Sequence, residues 1–518
     1  MGKPMSTHTH EGARASTLEL PRAELEGLAR EFCRMAVEYF ADAEALPVFP
    51  ETTAAEVAGL FRAPLPAEGV GLEALARACA EVVRASRQNG HPRMFGYVAS
   101  PATPVGAFAS LLASALNSNV TSWRSAPAPT EVERTVVGWL AEMIGFKGEG
   151  VNETCGGLLT SGGSMANLNA LFVAHRTHAR RGAQDPSRAG LWDAGAPATI
   201  YASDQVHLSI PKAADVLGLG REQVRVVPSD EGFRIDVRAL RQRIEADERA
   251  GLRPFCVVAS AGTVSTGAVD DLREVAGVAR ERGLWLHVDG AYGALAACAR
   301  SKRALFDGLA EADSVSLDPH KWLYTPLGAG CLLLREPERA RAAYAGTEEG
   351  YIKVFEREED EAFAFWDYGT ELSRPFRALK VWATLSYYGA RRVAAAIEED
   401  CATADYMAER VGAAEDFELM SRPTLGICCF RYAPADARRE LEAARDDEAR
   451  GRVNLRLDDL NARVMQRVQR GGRAYLSNAV LRGRFALRAS VTNFRTSRRD
   501  IDLTLEVVRR AALDLENE

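Results

Sequence analysis

Asp318-Pro319-His320-Lys321-Trp322 follows an apolar approach, Asp313-Ser314-Val315-Ser316-Leu317, and precedes a second apolar run from Gly330 to Leu334. The pattern puts Lys321 at the end of a predicted strand. A lysine held in a dry pocket at such a point gives up its proton more readily and attacks carbonyl groups, which is the chemistry of Schiff bases. Upstream, Leu284-Trp285-Leu286-His287-Val288-Asp289-Gly290-Ala291-Tyr292 reads as a buried strand of β-formers that delivers Asp289 where the strand ends in small residues. An aspartate so placed can pair with a cationic ring nitrogen.

Lys321 and Asp289 are together the two groups that pyridoxal 5'-phosphate chemistry requires, one for the aldehyde and one for the pyridinium nitrogen. On these residues the chain resembles the group II pyridoxal-phosphate-dependent amino acid decarboxylases, the family of aromatic amino acid and glutamate decarboxylases. The resemblance runs from His91-Pro92-Arg93-Met94-Phe95-Gly96-Tyr97, through Ser125-Ala126-Pro127-Ala128-Pro129-Thr130-Glu131-Val132-Glu133, to Asn493-Phe494-Arg495-Thr496. It implies an α/β architecture, the type I PLP-dependent transferase fold, with a large mainly parallel-sheet domain, a helical N-terminal segment and a small α/β C-terminal domain. The expected divisions are a disordered tail at 1–16, a helical segment at 17–95 that clasps a second subunit, a cofactor domain at 96–380 and a small domain at 381–518. The resemblance also implies a homodimer with its active site at the subunit interface, where Phe95 and Tyr97 reach a neighbouring pocket.

Composition agrees with an enzyme acting on a small molecule. A chain of 518 residues with 47% hydrophobic content can bury two or three structural units. Its net charge of −7 arises from 64 basic and 71 acidic residues mixed along the sequence, so no basic stripe suggests nucleic acid. Nine cysteines are scattered without a CxxC pair, which points to a reducing cytoplasm and no metal site. No run reaches the roughly 18 to 20 apolar residues of a membrane span, and the N-terminus lacks the features of a signal peptide.

Helical spacing marks Leu18 to Phe40 and Leu72 to Ser86, with a Pro/Glu-rich interruption from Pro47 to about Pro66. From about residue 96 to 345 the pattern alternates, with strands expected at Ala198 to Ala202, Val224 to Val227, Phe255 to Ala259 and Trp285 to Val288. The acidic stretch 348–361 reads as a solvated loop or lid. A helix is expected around Arg374 to Tyr388, strands at Leu425 to Arg431 and Phe485 to Val491, and an exposed helix or loop at Asp436 to Arg452.

Gly156 to Asn167 reads as an apolar run, a glycine-rich turn and a helix start, so the backbone at Gly163 and Ser164 can cradle a phosphate. The same turn is equally able to serve as a plain N-cap. By resemblance, His207 lies against the cofactor ring, Thr263 and Ala291 lie near the cofactor, and Lys321 carries it as a Schiff base. His320, beside the lysine, is a further candidate, for assisting proton transfer. Gly262 to Asp270 also fits a simple turn with a helix cap at Asp270. Asp318 occupies a position where aromatic decarboxylases often have asparagine.

The implied reaction removes the α-carboxylate of an aromatic or apolar L-amino acid, giving the amine and CO2. Family decarboxylases carry a loop tyrosine that protonates the substrate carbon, and counting back from Arg374 without gaps puts Phe365 there, with Tyr351 and Tyr368 as other hydroxyls nearby. Related aldehyde synthases have phenylalanine at that tyrosine, so amine and aldehyde products both stay open, as do a Cα–Cβ lyase on the same scaffold and an inactive partner subunit. The substrate pocket is expected to include Phe95, Tyr97, Val98, Tyr351 and Phe365, with small walls at Val98-Ala99-Ser100 and Asn119-Val120-Thr121.

Overall fold

The computed structural model describes residues 18–179, 196–344 and 361–518; Tyr351 and nearly all of the acidic stretch lie outside them. The described residues fall into two compact units, one of 18–46 and 50–87, the other of 47–49 and everything from Gln88 onward.

The first unit holds helices Arg22–Ala41, Ala54–Phe61 and Leu72–Arg84, none of which has a buried residue. The helix Ala54–Phe61 falls inside the stretch expected to interrupt helical structure. Its cause is local: the Thr53 hydroxyl accepts the Glu56 N–H at 3.2 Å and the Glu56 carboxylate accepts the Thr53 N–H at 2.7 Å, a reciprocal cap that stops the helix start from fraying.

The second unit is built on a seven-stranded sheet among the described residues: β1 (Gly156–Thr160), β2 (Ala198–Ser203), β3 (Val224–Val227), β4 (Arg253–Ser260), β5 (Trp285–Asp289), β6 (Ser314–Leu317) and β7 (Gly330–Leu334). Their spatial order is β1-β7-β6-β5-β4-β2-β3. Strands β2 to β6 pair in parallel, while β7 runs antiparallel to both β1 and β6. Every residue of β2, β5, β6 and β7 is buried, which is why these strands read as continuous apolar runs instead of alternating ones. At Gly157 a Cβ would lie 1.9 Å from the Leu332 carbonyl oxygen, so the approach of β1 to β7 requires glycine.

A second, antiparallel sheet of order β10-β11-β9-β8 comprises β8 (Phe417–Ser421), β9 (Ile427–Tyr432), β10 (Ser477–Leu481) and β11 (Arg484–Ser490). Strands β9 and β11 match the two expected runs; β8 and β10 are additional. The charged stretch after Asp436 forms two helices, Ala435–Ala443 and Asp447–Arg470, the latter capped by the Asp446 carboxylate at 2.7 Å from the Ala449 N–H. Phe95, expected to close the helical segment, belongs with this sheet: its N–H donates to the Tyr475 carbonyl at 2.8 Å and its own carbonyl accepts the Ser490 N–H at 2.9 Å.

Two buried acidic groups brace this unit, one at β1 and one just past Lys321. Glu133 pairs with Arg374, both 1% exposed or less, and the same carboxylate accepts the Leu159 N–H of β1 at 2.9 Å. Asp400, on the helix Ala390–Gly412, accepts the Trp322 indole N–H at 2.8 Å and the Tyr324 hydroxyl at 2.7 Å, gripping the chain on the C-terminal side of Lys321. Burial pushes the Asp400 carboxyl up to about 7. The folded protein therefore keeps a proton there that the unfolded chain releases near pH 4, and this group's contribution to stability falls as pH rises from about 4 to 7. Asp400→Asn keeps a carbonyl acceptor and has no charge to bury. Its Tm is expected to exceed that of the parent protein by a few degrees near pH 7, with the gap closing toward pH 4; a gap independent of pH in thermal melts would contradict this account.

Candidate active site

Strands β4, β5 and β6 end at Ser260, Asp289 and Leu317 on one edge of the sheet, and β1, which shares the direction of β6, delivers the glycine-rich turn to that edge. Open α/β sheets bind ligands at this end of their strands. A cavity of about 720 Å³ opens there. All eight residues expected to hold the cofactor line it, and so do Tyr97 and Val98.

Lys321 is on a short helical turn, Pro319–Trp322, directly after β6. Its Nζ lies 3.0 Å from Asp318 Oδ2, so the expected dry pocket contains a carboxylate as well. The turn is fixed from behind by Trp322, fully buried and stacked on Tyr292 at 4.9 Å. His320 donates from Nδ1 to the Ala329 carbonyl at 2.7 Å, leaving Nε2 bare, 3.7 Å from Asp318 Oδ2. Burial lowers the His320 pKa, with Asp318 opposing. This ring is neutral at pH 7 and can take up a proton at Nε2.

Asp289 is 8% exposed and accepts three hydrogen bonds. The Ala291 N–H and the Ser316 hydroxyl reach Oδ1, both at 3.2 Å, and the Asn167 amide reaches Oδ2 at 2.9 Å. His207 is kept neutral chiefly by burial, which lowers its pKa against the field of Asp289. Its Nδ1 accepts the Ser209 backbone N–H at 3.2 Å, which leaves the ring hydrogen on Nε2.

The helix Gly163–Ala179 starts at the turn after β1, with Gly163 and Ser164 in its first turn. A Cβ on Gly163 would come within 2.7 Å of the Ala291 Cβ and 3.0 Å of Asp318 Oδ2, so backbone approaches the cavity as closely as the chain permits. Thr263 holds its own turn, accepting the Ala268 N–H at 3.1 Å, and also lines the cavity. The helix cap expected at Asp270 is instead Asp271, which accepts the Glu274 N–H at 3.1 Å. Asp270 is buried and joins Ile235 to Ser260 through two backbone N–H groups at 2.7 Å.

Sequence reading missed Arg488. It stands in β11, 3% exposed, donating to the carbonyls of Val264 at 2.8 Å and Tyr97 at 2.7 Å. Nη2 is buried without a hydrogen-bond partner, and among the described residues the guanidinium's hydrogen bonds go to those two carbonyls and the Ser477 hydroxyl, none to a carboxylate. Burial lowers its pKa. The available signal was an arginine between Leu487 and Ala489 in the strand expected at Phe485 to Val491.

Four expectations about the pocket are corrected. Phe365 is fully buried with the Arg374 guanidinium 4.1 Å from its ring and Phe363 at 4.9 Å; a side chain locked there does not reach the cavity, so the ungapped count from Arg374 does not locate a residue that could act on substrate. Phe95 is fully buried in the core of the small sheet, and Asn119 to Thr121 is drawn away by Arg374, whose N–H donates to Asn119 Oδ1 at 2.8 Å. Tyr368 stacks on Phe363 away from the cavity lining.

An amine, a buried carboxylate, a helix N-terminal turn and a neutral imidazole around one cavity, with Arg488 Nη2 as an orphaned donor, form a set of groups that fits pyridoxal phosphate and a substrate carboxylate. Residues 56–433 match the family model described as the pyridoxal-dependent decarboxylase conserved domain. The chain is 35% identical to the aromatic-L-amino-acid decarboxylase of Bacillus atrophaeus over 79% of its own length and 78% of that protein's. It is 29% identical to a phenylacetaldehyde synthase of Petunia hybrida over 81% and 80%. The crystal structure of Oryza sativa TDC with PLP and tryptamine superposes with a TM-score of 0.86 at 27% identity, covering 96% of this chain and all of the other. Cavity, donor set and these likenesses converge: the chain belongs to the pyridoxal-dependent decarboxylases, as a PLP-dependent enzyme that decarboxylates amino acids.

Proposed function

We propose that this enzyme decarboxylates an L-amino acid with an aromatic or apolar side chain and releases the amine and CO2. The observation that carries the reading is that Lys321, Asp289 and the carboxylate-free Arg488 guanidinium line one cavity. Pyridoxal phosphate supplies the aldehyde that takes up an amine and the conjugated ring that accepts the electron pair left by departing CO2. Gly163 and Ser164 offer N–H groups at a helix start for its phosphate, and Lys321 Nζ is the amine for its aldehyde. Asp289 would hold the ring-nitrogen proton, and neutral His207, with its hydrogen on Nε2, lines the same cavity. Arg488 binds the substrate carboxylate, and His320 Nε2 takes up a proton near Lys321.

Among the described residues, Lys321 and Arg488 are the lysine and arginine side chains of the lining, so one carboxylate finds a guanidinium and a second distal acid does not. This supports a neutral substrate side chain. An amino acid panel is expected to give equimolar CO2 and amine from aromatic or apolar substrates without oxygen uptake. Aldehyde with peroxide would replace the amine reading by oxidative deamination, a product class that the likeness to a phenylacetaldehyde synthase keeps in view. Release of a side-chain fragment with the carboxyl carbon retained would indicate a Cα–Cβ lyase.

Arg488→Met is expected to raise KM for the amino acid at least about tenfold, as loss of a charge-assisted bond does, while Lys321→Ala abolishes turnover. An unchanged KM in the first variant would remove Arg488 from substrate binding.

A homodimer completes this proposal. The helix Pro104–Leu116 exposes Leu111, Leu112 and Leu116, each about 60% accessible, and the helices of the N-terminal unit bury no residue of their own. Light scattering is expected to report a dimer, and Leu112→Glu combined with Leu116→Glu to shift it to monomer with loss of activity; a parent protein that is monomeric at micromolar concentration would refute the dimer.

A further inference from the structure

Asn167 is the fifth residue of the helix Gly163–Ala179, 1% exposed, and lines the cavity. Its Nδ2 donates to Asp289 Oδ2 at 2.9 Å and to Ser209 Oγ at 2.8 Å, which uses both amide hydrogens. Oδ1 must therefore accept, and its partner is His287 Nε2 at 3.0 Å. His287 is fully buried in β5, and burial lowers its pKa to about 4, so the ring is neutral with its hydrogen on Nε2. Nδ1 is then an acceptor for the Ser314 hydroxyl at 2.9 Å, and Ser314 Oγ in turn accepts the Trp285 indole N–H at 2.9 Å.

The other arm is equally determined. Ser209 Oγ receives an Asn167 hydrogen, and its own hydrogen goes to His207 Nδ1 at 2.8 Å. Every link points the same way: Trp285 to Ser314, to His287, to Asn167, and from Asn167 to both Asp289 and Ser209, ending on His207. Hydrogen bonds aligned in one direction polarise one another, most of all in a buried setting.

We propose that Asn167 is a positioning residue for the decarboxylation, the node from which one directed hydrogen-bond chain orients the Asp289 carboxylate and reinforces the Nε2–H form of His207. Asn167 acts through these two groups and not on the substrate. The proposal rests on the reading that Asp289 and His207 serve the cofactor.

The test compares Asn167→Asp and Asn167→Leu with the parent holoenzyme, reading kcat and KM separately, the visible absorption of bound pyridoxal phosphate, and the affinity of the apoenzyme for pyridoxal phosphate. The expected result is a fall in kcat of at least about tenfold with KM within about threefold, since a bond to a carboxylate is lost away from the substrate. A shifted absorption band and weaker cofactor affinity accompany it. Ser209→Ala, which leaves the Asp289 arm intact, is expected to lower kcat less and to keep the band in place. His287→Leu removes the donor that orients the amide and is expected to move the band in the same sense; it carries the test if the Asn167 variants do not fold. Parent values of kcat per bound cofactor and of the absorption band in the folded variants would overturn the proposal, even with a lowered Tm. Full activity in Asp289→Asn would overturn the site reading itself, whereas loss there beside silent Asn167 variants overturns the proposal alone.

Discussion

A carboxylate buried at a strand end governs the arrangement of this enzyme's active site. Asp289 has little contact with water, and an unsatisfied charge in that setting costs several kcal/mol. Its hydrogen-bond donors come from three places: the backbone just past β5, the neighbouring strand β6, and the helix Gly163–Ala179. Satisfying one side chain therefore locks the helix that follows the glycine-rich turn onto the strand that leads to Lys321. In the proposed reading, the elements that would address cofactor phosphate, ring nitrogen and aldehyde are held in register by this single group.

The lysine turn depends on a second layer of the same kind. Trp322 and Tyr324 follow Lys321 in sequence and both donate to Asp400, while Tyr292 covers the Trp322 ring and accepts the Gly426 N–H at 3.0 Å. Tyr324 holds a left-handed backbone, φ 53°, a conformation a bulky residue keeps only when its surroundings impose it. Arg488 and Tyr97, held together by a hydrogen bond, bring the small sheet's strand β11 to the wall of the same cavity. The active site is thus a junction of large-sheet strand ends with a residue of the small sheet.

Much of this was legible in the amino-acid order. Continuous apolar runs marked the buried parallel strands, and an acid and a lysine at their ends marked the chemistry, because a sheet buried on both faces leaves charged groups only its edges. The helix Ala54–Phe61 was legible too, through Thr53 and Glu56, although a proline-rich setting obscured it. Phe365 was misread because counting residues assumes a fixed spacing, while its burial beneath Arg374 depends on Glu133, more than 200 positions away.

The sequence alone determined the order of these features along the chain: a glycine-rich helix start and an aspartate and a lysine at strand ends, set by local periodicity and residue type, with a histidine after a strand marked by the family resemblance. Only the tertiary structure decided which of these share a cavity, that Arg488 joins them without a counter-ion among the described residues, and that Asn167 links Asp289 to His207. The reason is physical. Local pattern reports on neighbours a few residues apart, whereas the satisfaction of buried polar atoms is settled between residues brought together from Asn167 to Arg488, and it becomes visible only when the chain has closed around them.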